Sequence, residues 1–335
     1  MSAAAVPLNS ASRYTLRHGA VAADDFAEDV RRGLTAVPKT LPPRWFYDEL
    51  GSSLFDAICF LPEYYVMRAE AAVLTAHARE ICDAFGSQVR LVELGSGAAR
   101  KTRILLDVLT QRQRELEYVP VDVDASMLER SARELLTDYA QLRVTAVRAD
   151  FATPSASLAM LGPHRGRNVI LFLGSTIGNL DPDAAVAMLR DLRSALSRND
   201  ALLLGADLRK DRAILEPAYD DALGVTAAFN KNLLARINRE LRADFALDQF
   251  THRAFYNDTL GRIEMHLAST RAQRVRIDAL DLTIDFAPSE TIHTESSYKH
   301  DATTLATLAN ASGFAIERTW TDARGWFADA LLAAT

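Results

Sequence analysis

VRLVELGSGAARK (residues 89–101) is the most informative stretch of the chain, because it joins a continuous apolar run to a turn with two glycines. The apolar run predicts a buried β-strand. A helix is predicted over residues 100–112, since Ile104, Leu105 and Val108 recur at helical spacing. Glycines at a strand-to-helix turn allow a ligand to approach the backbone closely. The segment therefore indicates a ligand-binding β-α unit.

Further β-α units follow this one along the chain. Apolar strands are predicted at residues 117–123, 143–150, 168–174 and 201–208. Amphipathic stretches between them predict helices, one of which starts at Asp181 and Pro182 in the pattern of an N-cap followed by proline. Near-continuous apolar strands that alternate with helices are typical of a parallel sheet covered on both faces. Such sheets bind ligands beyond the carboxyl ends of their strands.

The pattern changes after residue 210. Residues 211–243 are predicted to be mainly helical, whereas residues 250–286 alternate apolar and polar side chains as antiparallel strands do. Residues 302–311 predict a helix capped by Asp301, and two more strands follow. The sequence therefore predicts an α/β fold with a Rossmann-like parallel sheet and a second, α+β, substrate-facing region.

Composition excludes several classes of protein. The 335 residues are 49% hydrophobic and 24% charged, which is typical of globular proteins and excludes a disordered, collagen-like or disulfide-stapled chain. A formal net charge of −6 argues against nucleic-acid binding, which requires a basic face. The two cysteines and seven histidines form no ligand pattern, so no metal is expected.

The N-terminal sequence favours a loose cytoplasmic tail, and an organellar transit segment stays open as the alternative. No apolar run approaches the ~18 residues that a membrane span requires. The first 20 residues lack the apolar core of a secretory signal, and we expect them to form a flexible tail. These features predict a cytoplasmic protein without a membrane or nucleic-acid partner, and we expect a monomer.

Acidic residues stand at the ends of successive predicted strands. Asp122 ends the second strand, where a carboxylate can accept both hydroxyls of a ribose, and Asp150 with Phe151 ends the third, where an adenine would lie. A dinucleotide site would require a third glycine where Arg100 stands. The string ELGSG (93–97) instead resembles motif I of the class I S-adenosylmethionine-dependent methyltransferases, in which an acidic residue such as Glu93 can lie near the cationic methionine end of the cofactor.

Longer strings carry a more specific resemblance. Over residues 25–330 the chain resembles the L-histidine Nα-methyltransferases of ergothioneine biosynthesis, the EgtD-like family. The matching strings are PKTLPPRWFYDELGSSLFDAICFLPEYYVMRAEAAVL (38–74), VELGSGAARKTRILL (92–106), YVPVDVDASML (118–128), LFLGSTIGNLDP (171–182), GADLRKD (205–211), AYDDALGVTAAFNKNLLARINRELRADF (218–245) and HTESSYK (293–299). The resemblance implies S-adenosyl-L-methionine as methyl donor, S-adenosyl-L-homocysteine as its product, L-histidine as substrate and hercynine, the trimethylated betaine, as the final product.

The resemblance also implies roles for individual residues. Tyr47, in FYDELG, would face the substrate amine as the catalytic residue. The other substrate-binding residues would be Tyr64 in the pocket, Asn179 and Tyr219 at the carboxylate, and Glu295 and Ser297 at the imidazole. The cofactor-binding residues would be Gly95, Lys101, Asp122, Asp150 and Phe151. One departure from the family pattern is Val66-Met67, which replaces a more usual Pro-Thr.

Spacing supports the imidazole pair. Glu295 and Ser297 are two residues apart, so an extended backbone presents both on one face. Neutral imidazole has one N–H donor and one acceptor nitrogen, which a carboxylate and a hydroxyl can satisfy. Without the resemblance, a packed aromatic core would be the favoured interpretation of Tyr47 and Tyr64, whereas for Asn179 a helix N-cap is the alternative to the favoured binding role.

The resemblance further implies two domains. Residues 69–208 plus 300–335 would form the methyltransferase domain, and residues 21–68 plus 209–299 the substrate-binding domain, after a tail over residues 1–20. Other functions remain open at this point. They are a methyltransferase of the same fold that acts on another amino acid or an aromatic amine, a dinucleotide-dependent oxidoreductase, and a catalytically silent binding protein.

Overall fold

The computed structural model describes residues 13–19, 25–150 and 153–335. Its strands are β1 (Tyr14–His18), β2 (Lys39–Thr40), β3 (Val89–Leu94), β4 (Leu116–Asp122), β5 (Leu142–Arg148), β6 (Arg167–Phe172), β7 (Ala201–Asp207), β8 (Phe250–Asn257), β9 (Arg262–Ser269), β10 (Gln273–Ile277), β11 (Leu282–Phe286), β12 (Thr291–Tyr298), β13 (Phe314–Thr321) and β14 (Phe327–Ala334). Its α-helices are α1 (Phe26–Thr35), α2 (Glu49–Ile58), α3 (Val66–Phe85), α4 (Thr102–Arg112), α5 (Ala125–Asp138), α6 (Pro154–Ala159), α7 (Pro182–Ser194), α8 (Arg212–Leu215), α9 (Val225–Leu241) and α10 (Ala302–Ala311).

The larger sheet has the strand order β1-β5-β4-β3-β6-β7-β14-β13. Its first six strands run parallel, and β14 runs antiparallel to both β7 and β13. β4 and β6 lie on opposite sides of β3, so the chain changes direction across the sheet there. Ligands of open α/β sheets bind in the crevice beyond such a switch point. The predicted Rossmann-like parallel sheet is therefore confirmed.

Helices cover both faces of this sheet, which explains the continuous apolar strands. Every residue of β3 and β7 is buried. Leu91 and Leu203 belong to the cluster that contains the apolar faces of α3 and α4, whereas Val92 and Leu202 belong to the cluster that contains those of α7 and α10. Side chains that alternate between two buried faces leave no solvent-exposed positions within these strands, so most of their residues are apolar.

A second sheet, with the order β2-β12-β9-β8, is built from residues 39–40 and 250–298. β9 runs antiparallel to β8 and β12, as the alternating pattern predicts, and β10 pairs with β11 as a separate hairpin. After β12 the chain returns to the larger sheet, where the His300 N–H donates to the Asp207 carbonyl at 2.8 Å. The carboxyl end of β7 is therefore the place where the two sheets meet.

The N-terminal segment differs from the prediction. The expectation of a flexible tail over residues 1–20 is wrong for Tyr14–His18, which form β1 and pair in parallel with β5. The guanidinium of Arg13 donates to the carbonyl oxygens of Leu136 and Tyr139, each at 2.9 Å, near the end of α5. An otherwise open sheet edge offers unpaired backbone groups, and a five-residue strand satisfies them without a strong sequence signal. Residues 1–12 lie outside the described part of the chain.

Helices in the described residues are all too short or too polar to cross a membrane.

Gly178 lies where the turn after β6 approaches the smaller sheet closely. A Cβ atom at this position would lie 2.7 Å from the backbone oxygen of Tyr298 in the β12 strand. Because backbone cannot move aside as a side chain does, we expect Gly178→Ala to lower the free energy of unfolding by about 1–3 kcal/mol. The exposed Gly162, where an added Cβ meets nothing within 4 Å, is the matched control, and Gly162→Ala is expected to change stability by less than about 0.5 kcal/mol. Urea denaturation measures both, and equal stabilities would contradict the tight junction.

Candidate active site

The glycine turn after β3 is hydrogen-bonded to the end of β4. The N–H groups of Gly95 and Ser96 donate to the carbonyl of Val121 at 2.9 and 3.2 Å. Gly95 and Gly97 have φ angles of 66° and 48°, which residues with a side chain rarely adopt. The Gly97 N–H donates to the Asp122 carboxylate at 2.9 Å. These bonds place the open side of the turn next to the Asp122 carboxylate.

Polar groups at this turn have hydrogen-bonding capacity that a ligand can use. Asp122 is half-buried, and burial raises the pKa of its carboxyl although backbone N–H groups act to lower it. A carboxylate has about four acceptor sites, and two are used by Gly97 and Asp124. The Ser96 hydroxyl is buried without a hydrogen-bond partner among the described residues. A Cβ at Gly97 would meet nothing within 4 Å, so there is space beside these groups.

Lys101 is held by a residue that the sequence analysis missed. Its ammonium pairs with Glu70 of α3, whose side chain is fully buried. The same carboxylate accepts the Gly174 N–H at 2.8 and 3.0 Å, so Glu70 ties the turn after β3 to the turn after β6. An ammonium has three donors, which leaves Lys101 able to bind a ligand carboxylate. The matching string over residues 38–74 includes Glu70, but the resemblance gave this residue no role, and its burial within a helix is the signal that could have revealed it.

Glu93 is hydrogen-bonded to its protein neighbours through one carboxylate oxygen. Its carboxyl accepts hydrogen bonds from Thr102, at 2.6 Å, and from Tyr118, both within the core. Burial raises the pKa of Glu93 to about 7, although these hydrogen bonds act to lower it. Through this oxygen, Oε2, Glu93 links the end of β3 to α4 and β4.

The remaining predicted cofactor residues follow β5. Asp150 is half-buried just beyond the carboxyl end of that strand. The adjacent Ala149 N–H donates to the Asp122 carbonyl at 3.0 Å, which keeps the two strand ends together. Phe151 lies outside the described residues.

On the substrate side, a wall of aromatic rings joins four segments of the chain. Tyr47 meets Phe55 and Phe229 edge-on, at centroid distances of 5.5 and 5.8 Å. Phe55 meets Tyr64 at 6.2 Å, and Tyr64 meets Tyr219 at 6.2 Å. The structure therefore brings the three predicted tyrosines together, and Phe55 and Phe229 are lining residues that the sequence analysis did not assign.

The Tyr47 phenol lies in an unusual environment. The side chain is 45% exposed, whereas Tyr64 and Tyr219 are buried. Burial of the surrounding site and the negative charge of Glu295 raise the pKa of Tyr47 well above its usual value. The same two causes contribute to a raised pKa of Tyr64. Both phenols therefore keep their protons at neutral pH.

Glu295, Ser297 and Lys299 alternate along β12 and the residue after it. All three are buried. The Ser297 hydroxyl lies 2.8 Å from the Tyr219 hydroxyl and accepts a hydrogen bond from the Lys299 ammonium at 2.8 Å. Burial raises the pKa of Glu295 to about 7, and the positive charge of Lys299 acts to lower it. The predicted pair and Tyr219 thus share one polar cluster.

Lys299 and Asp207 were missed by the sequence analysis. The Lys299 ammonium pairs with the Asp207 carboxylate at 2.8 Å, and neither side chain is exposed. The Tyr65 hydroxyl donates to the same carboxylate at 2.7 Å. A lysine in register with Glu295 and Ser297, on the face predicted to be buried, is the signal that could have revealed this group.

Asn179 ends the short turn Thr176–Asn179 after β6. It is half-buried, and the tight contact of Gly178 with Tyr298 brings its turn against β12. Asp181, and not Asn179, is the N-cap of α7. The alternative assignment of Asn179 as a helix cap is therefore wrong.

A family model described as a histidine-specific, S-adenosylmethionine-dependent methyltransferase matches residues 26–334. The chain belongs to this family. The histidine N-alpha-methyltransferase of Mycolicibacterium smegmatis is 48% identical over 312 residues, which cover 92% of this chain and 95% of that protein. The corresponding protein of Mycobacterium tuberculosis is 47% identical over 305 residues, 91% and 94% of the two chains. Ergothioneine biosynthesis protein 1 of Schizosaccharomyces pombe is 29% identical, over 78% of this chain and 34% of that one.

Membership in the methyltransferase family confirms S-adenosylmethionine as the methyl donor and excludes the dinucleotide-dependent oxidoreductase. When bound, this donor supplies an electrophilic methyl group. The unsatisfied polar groups at the β3 turn fit its chemistry. We expect Asp122 to accept the ribose hydroxyls, Ser96 to donate to the ligand and Lys101 to meet the methionine carboxylate.

The first prediction from this site concerns Asp122. We expect Asp122→Ala to raise the dissociation constant of S-adenosylmethionine about ten- to a hundredfold, since hydrogen bonds to a charged group contribute roughly 1.5–3 kcal/mol. Isothermal titration calorimetry measures this dissociation constant. Asp124 stands two residues on and caps α5. Asn caps helices as well as Asp does, so Asp124→Asn is the matched control with unchanged affinity. Normal cofactor affinity in Asp122→Ala would exclude the ribose role.

The second prediction concerns the protonation of Glu295. Its pKa is raised to about 7 in the folded protein, so between pH 4.5 and 7 the folded state holds a proton that the unfolded state has lost. Stability therefore falls as pH rises through this window. The Glu295→Gln variant has no group that titrates at this position. Between pH 4 and pH 8 its free energy of unfolding should therefore rise by about 3 kcal/mol relative to that of the wild type. Urea denaturation across pH tests this. Parallel stability curves for the two proteins would show that Glu295 titrates normally.

Proposed function

We propose that this protein transfers methyl groups from S-adenosyl-L-methionine to the α-amino group of L-histidine until hercynine is formed, as a step of ergothioneine biosynthesis. The buried pair of Glu295 and Ser297 beside the aromatic wall is the observation that carries the proposal. The family description and the names of the mycobacterial and yeast relatives support it.

Recognition of the ring depends on two opposite hydrogen-bonding groups. Glu295, as a carboxylate, accepts the imidazole N–H, and Ser297 donates to the unprotonated nitrogen. Both groups are buried, so a ring without nitrogen would leave them unpaired in a region that excludes water. Sites built in this way reject analogues that lack the matching group by roughly 10⁴–10⁵. Histidine is thereby selected over amino acids of similar size.

Tyr47 orients the substrate amine. The amine must be neutral to attack, since its lone pair forms the new N–C bond. A phenol whose pKa is raised cannot serve as the base, but its oxygen can accept a hydrogen bond from the amine and direct the lone pair. Because Tyr47 is partly exposed, the proton can leave to water. Orientation of this kind contributes several kcal/mol to catalysis.

The carboxylate of the substrate is assigned to Asn179. Its amide N–H can donate without adding charge to the site. The Tyr219 hydroxyl is already bonded to Ser297 and Lys299, so a direct bond from Tyr219 to the carboxylate requires the bond between Tyr219 and Ser297 to open.

Repeated methylation uses the aromatic wall. Tyr47, Phe55 and Phe229 present ring faces and edges without strong hydrogen-bonding demands. An amine that grows more apolar with each methyl group is therefore tolerated, and a cationic ammonium is attracted to ring faces. The quaternary nitrogen has no lone pair, so the reaction stops after the third transfer.

A mixed-substrate assay tests the proposal. The purified protein is incubated with S-adenosylmethionine and an equimolar mixture of the common amino acids, and products are identified by mass spectrometry. We expect histidine alone to gain methyl groups, up to three. Glu295→Ala should lose this selectivity or the activity, while still binding the cofactor.

The control is Glu317→Ala, which removes an exposed carboxylate paired only with Arg167 at 3.6 Å on the surface. Such pairs contribute little, so its product pattern should match that of the wild type. Methylation of a different amine by the wild type would reassign the substrate and leave the fold and the methyl donor in place. Absence of any methylated product would contradict the enzymatic activity itself.

A further inference from the structure

The Lys299 ammonium lies at the centre of a buried cluster of hydrogen-bonded polar groups. It has no role in the proposed function. Its ammonium donates to the Asp207 carboxylate, the Ser297 hydroxyl and the Tyr219 hydroxyl, each at 2.8 Å. An ammonium has three N–H donors, so all of them are committed. Lys299 therefore has no proton for a ligand and can act on the substrate only through its neighbours.

The charge of Lys299 is fixed by its surroundings. Burial acts to lower the pKa of Lys299, but Asp207 outweighs it, and the pKa is raised above its usual value. Burial likewise acts to raise the pKa of Asp207, and Lys299 with Lys210 holds it below its usual value. Tyr65 donates to Asp207 as well, at 2.7 Å. The ammonium is thus a permanent donor to Ser297 and Tyr219.

A permanent donor decides where the hydroxyl protons point. Each hydroxyl has one proton and two acceptor lone pairs, and Lys299 occupies a lone pair on Ser297 and one on Tyr219. The Ser297 and Tyr219 oxygens are 2.8 Å apart, so one proton lies between them. A phenol is more acidic than an alcohol, so Tyr219 supplies that proton. Both lone pairs of Ser297 are then filled, and its own proton is free for a ligand.

We propose that Lys299 is a positioning residue that makes Ser297 an obligatory hydrogen-bond donor, so that the site selects a ring with an unprotonated nitrogen facing Ser297. If Tyr219 releases Ser297 when substrate binds, Lys299 still occupies the side of the serine oxygen that faces it and directs the proton away. The inference rests on the proposed function, because it takes L-histidine as the substrate.

A purely structural role for Lys299 is the main competing explanation. Asp207 ends β7 of the larger sheet and Lys299 directly follows β12 of the smaller sheet, so their ion pair also ties the sheets together. Loss of a purely structural ion pair would weaken the binding of every substrate equally. A donor to Ser297 would affect only ligands that offer an acceptor nitrogen, and this difference can be measured.

The variant that separates the two roles is Lys299→Met. It removes the three donors and keeps the length of the side chain, and Asp207 retains Lys210 and Tyr65 as partners. Two ligands are compared in the presence of S-adenosylhomocysteine. They are L-histidine and β-(2-thienyl)-L-alanine, which has a five-membered ring of similar size without a nitrogen.

We expect Lys299→Met to weaken L-histidine binding about ten- to a hundredfold, the range for a lost hydrogen bond to a charged group. Binding of thienylalanine should change less than about twofold. In steady state KM should rise much more than kcat falls. In the Ser297→Ala background the same substitution should have little further effect, because the donor on which Lys299 acts is missing.

Equal weakening of both ligands, or additive effects of the two substitutions, would overturn the proposal. If Lys299→Met does not fold, the wild type still provides a test through the ¹⁵N NMR spectrum of ring-labelled L-histidine bound to it. We expect one protonated and one unprotonated, hydrogen-bonded ring nitrogen. Two protonated nitrogens would overturn the proposal. A wild type that does not methylate histidine would contradict the proposed function instead.

Discussion

The ion pair of Asp207 and Lys299 is the interaction on which the site most depends. Asp207 ends a strand of the larger sheet, and Lys299 follows the last strand of the smaller one. Burying two charges costs several kcal/mol for each ion unless their attraction and further hydrogen bonds offset it. Here the carboxylate has Tyr65 and Lys210 as additional partners, and the ammonium has Ser297 and Tyr219. The pair is thus fully satisfied only when both sheets and the pocket are correctly assembled.

The cofactor side uses a similar arrangement. Glu70, fully buried in α3, pairs with Lys101 and accepts the Gly174 N–H, so it joins the turns after β3 and β6. Burial and the neighbouring Glu70 raise the pKa of Asp329, which keeps that second carboxyl protonated beside the first. In both halves of the site, a buried carboxylate at the carboxyl edge of the sheet holds a lysine. The backbone near each ligand is therefore fixed before the ligand arrives.

Much of the fold could be predicted because its strands are buried on both faces. β3, β4, β6 and β7 lie within two residues of their predicted bounds, since a continuous apolar run marks such a strand clearly. β1 was not predicted, because an edge strand of five residues has only one neighbour and needs little apolar character. Residues at strand ends were also predictable, because parallel strands present their carboxyl ends at one edge.

The polar groups that hold the site could not be predicted in the same way. Asp207 and Lys299 are 92 residues apart in sequence but 2.8 Å apart in space, as only the folded chain reveals. Glu93 was recognised from its motif, but its hydrogen bonds with Thr102 and Tyr118 could not be predicted from that motif. Motifs and spacing thus located the predicted site residues, but not the buried partners that orient them.

The most direct test of this account is a crystal structure of the protein with S-adenosylhomocysteine and L-histidine bound. The account predicts the imidazole between Glu295 and Ser297, the α-amine at Tyr47, and the ribose at Asp122. It also predicts that Lys299 keeps its bonds to Asp207 and Ser297. An imidazole bound away from β12, or a Ser297 oxygen beyond hydrogen-bond distance of the ring nitrogen, would contradict it.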